Sequence, residues 1–331
     1  KTTAYSYAFQ NGLDETKYGK QIANKCDFPF QAFKIQKGYL WNIIEDLSEI
    51  NKCYSEFTHP RQMAIRDSYA AMGDVFSLGH WGDVLFDDMG APDRMSNDEQ
   101  VDFIMKKVVK KGGMELAQML WNSWGLQDDF NVYLKQRIFS LIEKIDIPEN
   151  ANAQIRAFKS LYWAPRWTSI NLSVFESVKP VELPYYHPRM CEFICSIPES
   201  HLAGRQIQIE YIKRFMPSLA KIPWEAKRPF NLYNYHLSKV PWNLPYRVVN
   251  KFKRMLFYHP YIQRNWELQF LGEQNEIQLK NWLFEQPKLD NFIDGEVRER
   301  IYSQFKEKDN LYYSHAVSML LTFSLFAKKY C

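Results

Sequence analysis

A chain of 331 residues, 46% hydrophobic and 24% charged, can bury a large core and suits one large domain or two closely packed ones. A formal net charge of +4 is small for this length and argues against a nucleic-acid-binding protein. No uninterrupted apolar run reaches the roughly 18 residues of a membrane span, so no membrane partner is expected. Five cysteines without paired spacing argue against a disulfide framework and fit a reducing, cytoplasmic setting. Cys191 and Cys195, four apart, lack a second pair to complete a zinc site and are expected to be small core residues.

Thr2 to Phe9 is rich in β-branched and aromatic residues and predicts a strand. Asp14 is placed to cap a helix reaching Lys25, with Tyr18, Ile22 and Ala23 on one stripe. Phe30 to Ile35 predicts a second strand, and Tyr39 to Tyr54 a helix in which Leu40, Ile43, Ile44 and Leu47 recur at helical spacing. A further helix over 61–72 stops at Gly73, and a buried strand is expected at Val75 and Phe76. Strand, helix, strand, helix, helix, strand is the rhythm of a parallel sheet wound by helices. From Asn97 onward nearly everything predicts helix, punctuated by Pro148, Pro165, Pro180 and Pro184. The last apolar segment, 315–327, is broken by Ser318, Thr322 and Ser324 and is expected to be a buried terminal helix.

The stretch 74–90, Asp-Val-Phe-Ser-Leu-Gly-His-Trp-Gly-Asp-Val-Leu-Phe-Asp-Asp-Met-Gly, carries the chemistry. Gly79 and Gly82 allow backbone conformations closed to other residues and close approach of a ligand, and Asp83 offers a hard oxygen suited to magnesium. A phosphate-bearing substrate fits such a loop, although Gly-x-x-Gly-Asp after a strand also occurs in plain turns. Residues 77–89 resemble the Ser-Gly-x-Gly-Gly-Asp-Glu-Leu-Phe-Gly-Gly-Tyr signature of the asparagine synthetase C-terminal, ATP-pyrophosphatase domain, anchored on Gly82, Asp83, Leu85 and Phe86. Leu78, Trp81, Val84, Asp87 and Asp88 depart from it.

Two further segments resemble the same family. Glu182-Leu-Pro-Tyr-Tyr-His187 is similar to its Arg-x-Pro-Phe-Leu-Asp segment, and 222–230, Ile-Pro-Trp-Glu-Ala-Lys-Arg-Pro-Phe, to its Arg-x-Lys-x-x-Phe pattern, with Glu182, His187 and Glu225 departing. The resemblance implies an α/β fold of the adenine nucleotide α-hydrolase-like (HUP) type over 1–95, followed by a largely helical region over 96–331 that completes the ATP and acceptor site. It implies ATP and Mg2+ as cofactors, Asp83 as metal ligand, and Phe9, Leu78, Gly79, Gly82 and Arg228 as nucleotide contacts. Lys227 and His80 are the implied catalytic residues, Lys227 as the cation near the α-phosphate and His80 as base or contact to the intermediate. Lys227 rather than its neighbour Arg228 is expected to be the catalytic cation, because adjacent residues of an extended loop point apart.

The implied reaction joins a carboxylate to ammonia or an amine through an acyl-adenylate, releasing AMP and pyrophosphate. The family wraps pyrophosphate in a Ser-Gly-Gly-x-Asp-Ser loop that these 331 residues do not contain. The chain opens on Lys1 and is therefore expected to begin inside a longer product, with that loop and any glutaminase domain upstream or in trans, and to be inactive alone. A degenerate member acting as a binding or scaffold protein, and the same fold amidating or cyclising another carboxylate, are the alternatives. Between Arg205 and Arg254 eleven Lys and Arg face two acids, which is either a solvated basic face or a site for an anion.

Overall fold

The alternating run Ala-Tyr-Ser-Tyr-Ala-Phe forms strand β1 (Ala4–Phe9) in the computed structural model of the chain, which describes residues 2–256 and 261–331. Helix α1 (Thr16–Lys25) carries the chain over to β2 (Phe30–Ile35), and the two strands pair in parallel, Ala4 opposite Phe30 and Phe9 opposite Ile35. A parallel pair needs such a crossover. Asp14 accepts from the Thr16 N–H at 3.0 Å, as its residue type predicts, although the helix begins two residues later. Of the expected α1 stripe, Ala23 is buried but Ile22 lies exposed, because a sheet of two strands is too narrow to cover a whole helix face.

Helix α2 (Leu40–Asn51) buries Leu40, Ile44 and Leu47 at the expected spacing. The helix expected over 61–72 is instead a 3-10 stretch, Arg61–Ile65, and a single turn, α3 (Arg66–Tyr69). Strand β3 is only Phe76–Ser77, and Val75, expected inside it, is exposed. It pairs in parallel with β4 (Val181–Glu182), which lies beyond α4 (Gly82–Leu85), α5 (Asn97–Val108), α6 (Gly113–Ser123), α7 (Phe130–Ile145), α8 (Ala151–Phe158) and α9 (Ile170–Glu176).

Among the described residues, then, the expected wound sheet is present only as two short parallel pairs, β1–β2 and β3–β4, in a structure that is 64% helical. Side chains rather than backbone join the pairs. Tyr69 stands between them, its ring 5.2 Å from Tyr5 and 5.3 Å from both Phe76 and Phe175.

The helices start where polar caps put them. Ser96 and Glu99 form a reciprocal capping box at α5, and Asp129 and Asn150 cap α7 and α8. After β4 come α10 (Pro188–Cys195), α11 (Glu199–Leu202), α12 (Gln206–Phe215), α13 (Pro217–Ala220), α14 (Leu244–Leu256), α15 (Asn265–Phe270), α16 (Glu273–Phe284), α17 (Gly295–Ser303) and α18 (Asn310–Tyr330). On α10 only Ile194 is buried; Cys191, half-buried, packs against the same cluster, whereas Cys195 is exposed and is not the core residue expected.

The main core surrounds α18, whose Val317, Leu320, Leu321 and Leu325 pack with Leu47 of α2, Leu279 of α16 and Ile301 of α17. The three polar residues that interrupt its apolar run are buried and hydrogen-bonded. Ser318 Oγ accepts from the Phe57 N–H at 2.7 Å, Thr322 Oγ1 donates to the Ser318 carbonyl at 2.9 Å, and Ser324 Oγ donates to the Trp282 carbonyl. No helix is long and apolar enough to cross a membrane among the described residues.

The loop after α2 is tied to α18 a second time. Glu56, buried, faces His315 at 3.7 Å, and Thr58 Oγ1 lies 3.3 Å from His315 Nδ1. Burial raises the Glu56 carboxyl, but His315, His59 and Thr58 outweigh it and hold the group below its ordinary value. The His59 ring, stacked on His315, is lowered to about 4, first by burial and then by Lys110, His315 and Arg61 against the pull of Glu56.

Replacing Ser318 by Ala leaves the Phe57 N–H buried without an acceptor, and unfolding by denaturant should show a loss of about 1–3 kcal/mol. Acid acts through His59. Because its folded value lies below 6.5, the unfolded chain takes up the proton first as pH falls. The stability it contributes is therefore complete above about pH 6.5 and is lost toward pH 4, with Glu56 adding to the loss at the lower end. A thermal midpoint that falls across this window, and falls less steeply in His59→Gln, is the expected result; equal slopes would assign the acid sensitivity to other groups.

Candidate functional site

The carboxyl ends of β1 and β3 open on one cleft of about 700 Å3. Tyr7 and Phe9 of β1 line it with Leu78 and His80 of the loop after β3 and Phe175 of α9. Two cations face it, Arg61 and Arg228. Four residues expected from distant parts of the sequence, Phe9, Leu78, His80 and Arg228, thus share one cavity. Gly79, Gly82, Asp83 and Lys227 are not among its lining residues.

The turn after β1 explains how Phe9 reaches the rim. Asn11 adopts a left-handed backbone, which asparagine tolerates, and the Gly12 N–H returns to the Phe9 carbonyl at 2.9 Å. Gly12 is needed for space: a Cβ there would lie 2.8 Å from the Ile262 carbonyl oxygen.

In the loop after β3 the left-handed residue is Trp81, φ +73°, rather than either glycine. A bulky side chain in that conformation is strained, and such strain persists only when its surroundings enforce it. Here they do. The indole is buried and stacks on Tyr186 at 4.3 Å, within a cluster that includes Leu85, Phe86 and Ile194. Gly82 is glycine because of packing, since a Cβ would meet the Tyr185 ring at 2.9 Å; Gly79 has open space around it. The expectation that both glycines supply unusual backbone geometry is corrected accordingly.

Two of the three segments singled out in the sequence are backbone neighbours. Ser77 pairs with Glu182, and the Leu78 N–H donates to the Glu182 carbonyl at 3.0 Å. Pro184, Tyr185 and His187 lie on a separate, more apolar groove between α10 and α12. Asp87, which departs from the family's glycine, accepts from Arg205 Nε at 3.0 Å through its carboxylate and from Arg156 Nε at 3.2 Å through its carbonyl, so the departure fixes the end of the loop.

His80 stands edge-on to Phe175 at 6.3 Å, with Nδ1 buried and without a hydrogen-bond partner among the described residues. Burial lowers its pKa against the opposing charge of Asp83, which keeps the imidazole neutral near pH 7. Asp83 is exposed and accepts no hydrogen bond from a described side chain. It also acts on Lys159, whose ammonium burial pushes below its usual range while Asp83 pulls it back. Lys159 opens a π-helical turn, Lys159–Trp163, a conformation frequent at functional sites. Sequence reading missed it, because a lysine following an apolar helix carries no signal of its own.

The loop 222–230 closes on itself: the Trp224 N–H donates to the Phe230 carbonyl at 2.8 Å, and the Phe230 N–H to the Lys227 carbonyl at 3.1 Å. Within it the two adjacent cations part, as expected, but in the opposite sense. Arg228 turns into the cleft and pairs with Glu225 at 3.2 Å, whereas Lys227 is exposed, its ammonium 6.0 Å from the Trp224 ring. Lys227, expected at the phosphates, is thus not among the residues that line the cleft, whereas Arg228 is. At the rim, partial burial and then Glu225 raise the Glu15 carboxyl, with Arg228 and Arg61 opposing.

No protein-family model, curated protein or solved structure matches this chain. Its chemistry rests on its own residues.

Gly82→Ala drives a methyl group into the Tyr185 ring, so the thermal midpoint should fall, by about 1–3 kcal/mol of stability. Gly79→Ala, with open space around it, should change far less. Equal effects at the two glycines would contradict this packing.

Proposed function

We propose that the cleft binds an adenine nucleotide and that the chain belongs to an ATP-dependent, amide-forming ligase of the asparagine synthetase type. The observation that carries this reading is the convergence of Phe9, Leu78, His80 and Arg228 at the carboxyl ends of parallel strands, where open α/β folds take their ligands. The two parallel pairs are, in this reading, parts of one wound, nucleotide-binding arrangement.

The roles follow from placement. The aromatic wall of Tyr7, Phe9 and Phe175 suits a purine face, and Arg61 and Arg228 suit phosphates. A carboxylate oxygen attacks the α-phosphorus and pyrophosphate leaves; ammonia or an amine then attacks the acyl carbon, AMP leaves, and a proton is released. Arg228 meets the negative charge that grows on the phosphates in the first step. His80, neutral and without a hydrogen-bond partner at Nδ1 among the described residues, takes up the proton in the second.

Magnesium is commonly held by one or two carboxylates together with substrate phosphates. Asp83 is a single exposed carboxylate outside the lining of the cleft, so it would serve only by holding a cation between itself and the phosphates, and no cage of three or more ligating side chains exists among the described residues. A cation there would neutralise the departing pyrophosphate. Lys159 lies close enough to Asp83 for the two charges to act on each other.

One observation favours a second reading, a nucleotide-binding protein without ligase chemistry: Lys227, the expected catalytic cation, is exposed and is not among the residues lining the cleft. Binding without turnover separates the two. Calorimetry with ATP should show binding to the chain, and the full-length gene product should exchange labelled pyrophosphate into ATP in the presence of its carboxylate. Arg228→Ala should lower exchange by on the order of 100-fold, and Lys227→Ala far less. Absence of ATP binding overturns both readings; binding without exchange leaves the second; reversed effects of the two variants return the role to Lys227.

A further inference from the structure

We propose that α14 is a surface-docking helix for an anionic lipid bilayer. Its sequence, Leu-Pro-Tyr-Arg-Val-Val-Asn-Lys-Phe-Lys-Arg-Met-Leu, holds four cations and no acid. At 3.6 residues per turn Leu244, Val248, Val249, Phe252 and Leu256 fall on one side, and Arg247 and Lys251 flank them.

The helix is mounted the wrong way round for a water-soluble surface. Its apolar side faces solvent: Leu244 is 45% exposed, Val248 49%, Val249 50%, Phe252 60% and Leu256 82%. Among its described side chains the half-buried positions are Tyr246 and Asn250, four apart on the opposite side. None of its described residues joins the buried hydrophobic clusters. Just before it, Val240 is 59% and Trp242 68% exposed, which extends the apolar surface by a residue type that favours bilayer interfaces.

Charge selects the occupant. An apolar stripe bordered by lysine and arginine matches the boundary between acyl chains and anionic headgroups, where a helix lies flat in the surface plane and no spanning length is required. A second copy of this chain is a poorer partner, because a two-fold contact across the stripe sets Arg247 and Lys251 against their own equivalents. The proposal is independent of the nucleotide cleft, whose lining residues include none from α14.

The test is flotation of the full chain with phosphatidylcholine vesicles, with and without phosphatidylserine. Binding to the phosphatidylserine vesicles alone, weakened by salt, is expected. The double variant Val248→Glu, Phe252→Glu should lower the bound fraction by on the order of tenfold or more, with an unchanged thermal midpoint because both sites are exposed. Trp242 emission, isolated by difference from Trp242→Phe, should shift to the blue on binding. The proposal falls if no vesicles bind, if the double variant binds as well as the unaltered chain, or if mass measurement finds a dimer that the double variant disperses. It falls equally if an acidic protein binds the stripe and lipid does not.

Discussion

The fold depends on burying α18 without leaving its polar atoms unpaired. A 21-residue helix with serines and a threonine inside a core is costly unless every hydroxyl finds a partner. Those partners are not generic. Ser318 is matched to the Phe57 N–H and Ser324 to the Trp282 carbonyl, so the hydrogen bonds fix the loop after α2 and the end of α16 against one helix at defined heights. The loop so fixed continues through Glu56, Thr58 and His59 into Arg61, which faces the cleft. Packing at the carboxyl-terminal end of the chain therefore places a residue of the candidate site.

A second constraint operates in the loop after β3. Trp81 is held left-handed by burial, and its ring, Gly82 and the Phe86 side chain all meet the tyrosines at 185 and 186. Because β4 leads directly into those tyrosines, the strand pairing at Ser77 and Glu182 and the packing at Trp81 support each other. The direction in which His80 and Asp83 project is thereby determined by residues far away in sequence. Strain at Trp81 lies where a change of backbone would move both groups at once.

Local signals made part of this legible. β1, α1, β2 and α2 follow from short-range patterning, and the buried terminal helix from an apolar run too interrupted to span a bilayer. Long-range pairing was harder to read. Nothing near Val75 announces that β3 would be two residues long, since its length depends on a partner about a hundred residues away. Glycine misled for a related reason: spacing suggests backbone freedom, whereas Gly82 answers to the Tyr185 ring. Lys227 and Arg228 part as expected, but not through the alternation of an extended loop: Glu225–Lys227 is a 3-10 turn, and which cation faces the cleft depends on how the loop closes between Trp224 and Phe230.

The basic stretch shows how little a net charge says about use. Its eleven cations against two acids could be one solvated face or one anion site, and the structure distributes them among different tasks. Arg205 holds Asp87 at the end of the loop after β3, and Arg228 turns into the cleft. Arg247 and Lys251 border an apolar stripe that faces outward. Each destination follows from what lies next to the cation in space: a carboxylate, a cavity, or solvent beside exposed Val248 and Phe252. A charge near neutrality is thus compatible with two separated groups of cations on one chain, since acids elsewhere cancel the sum without touching either field.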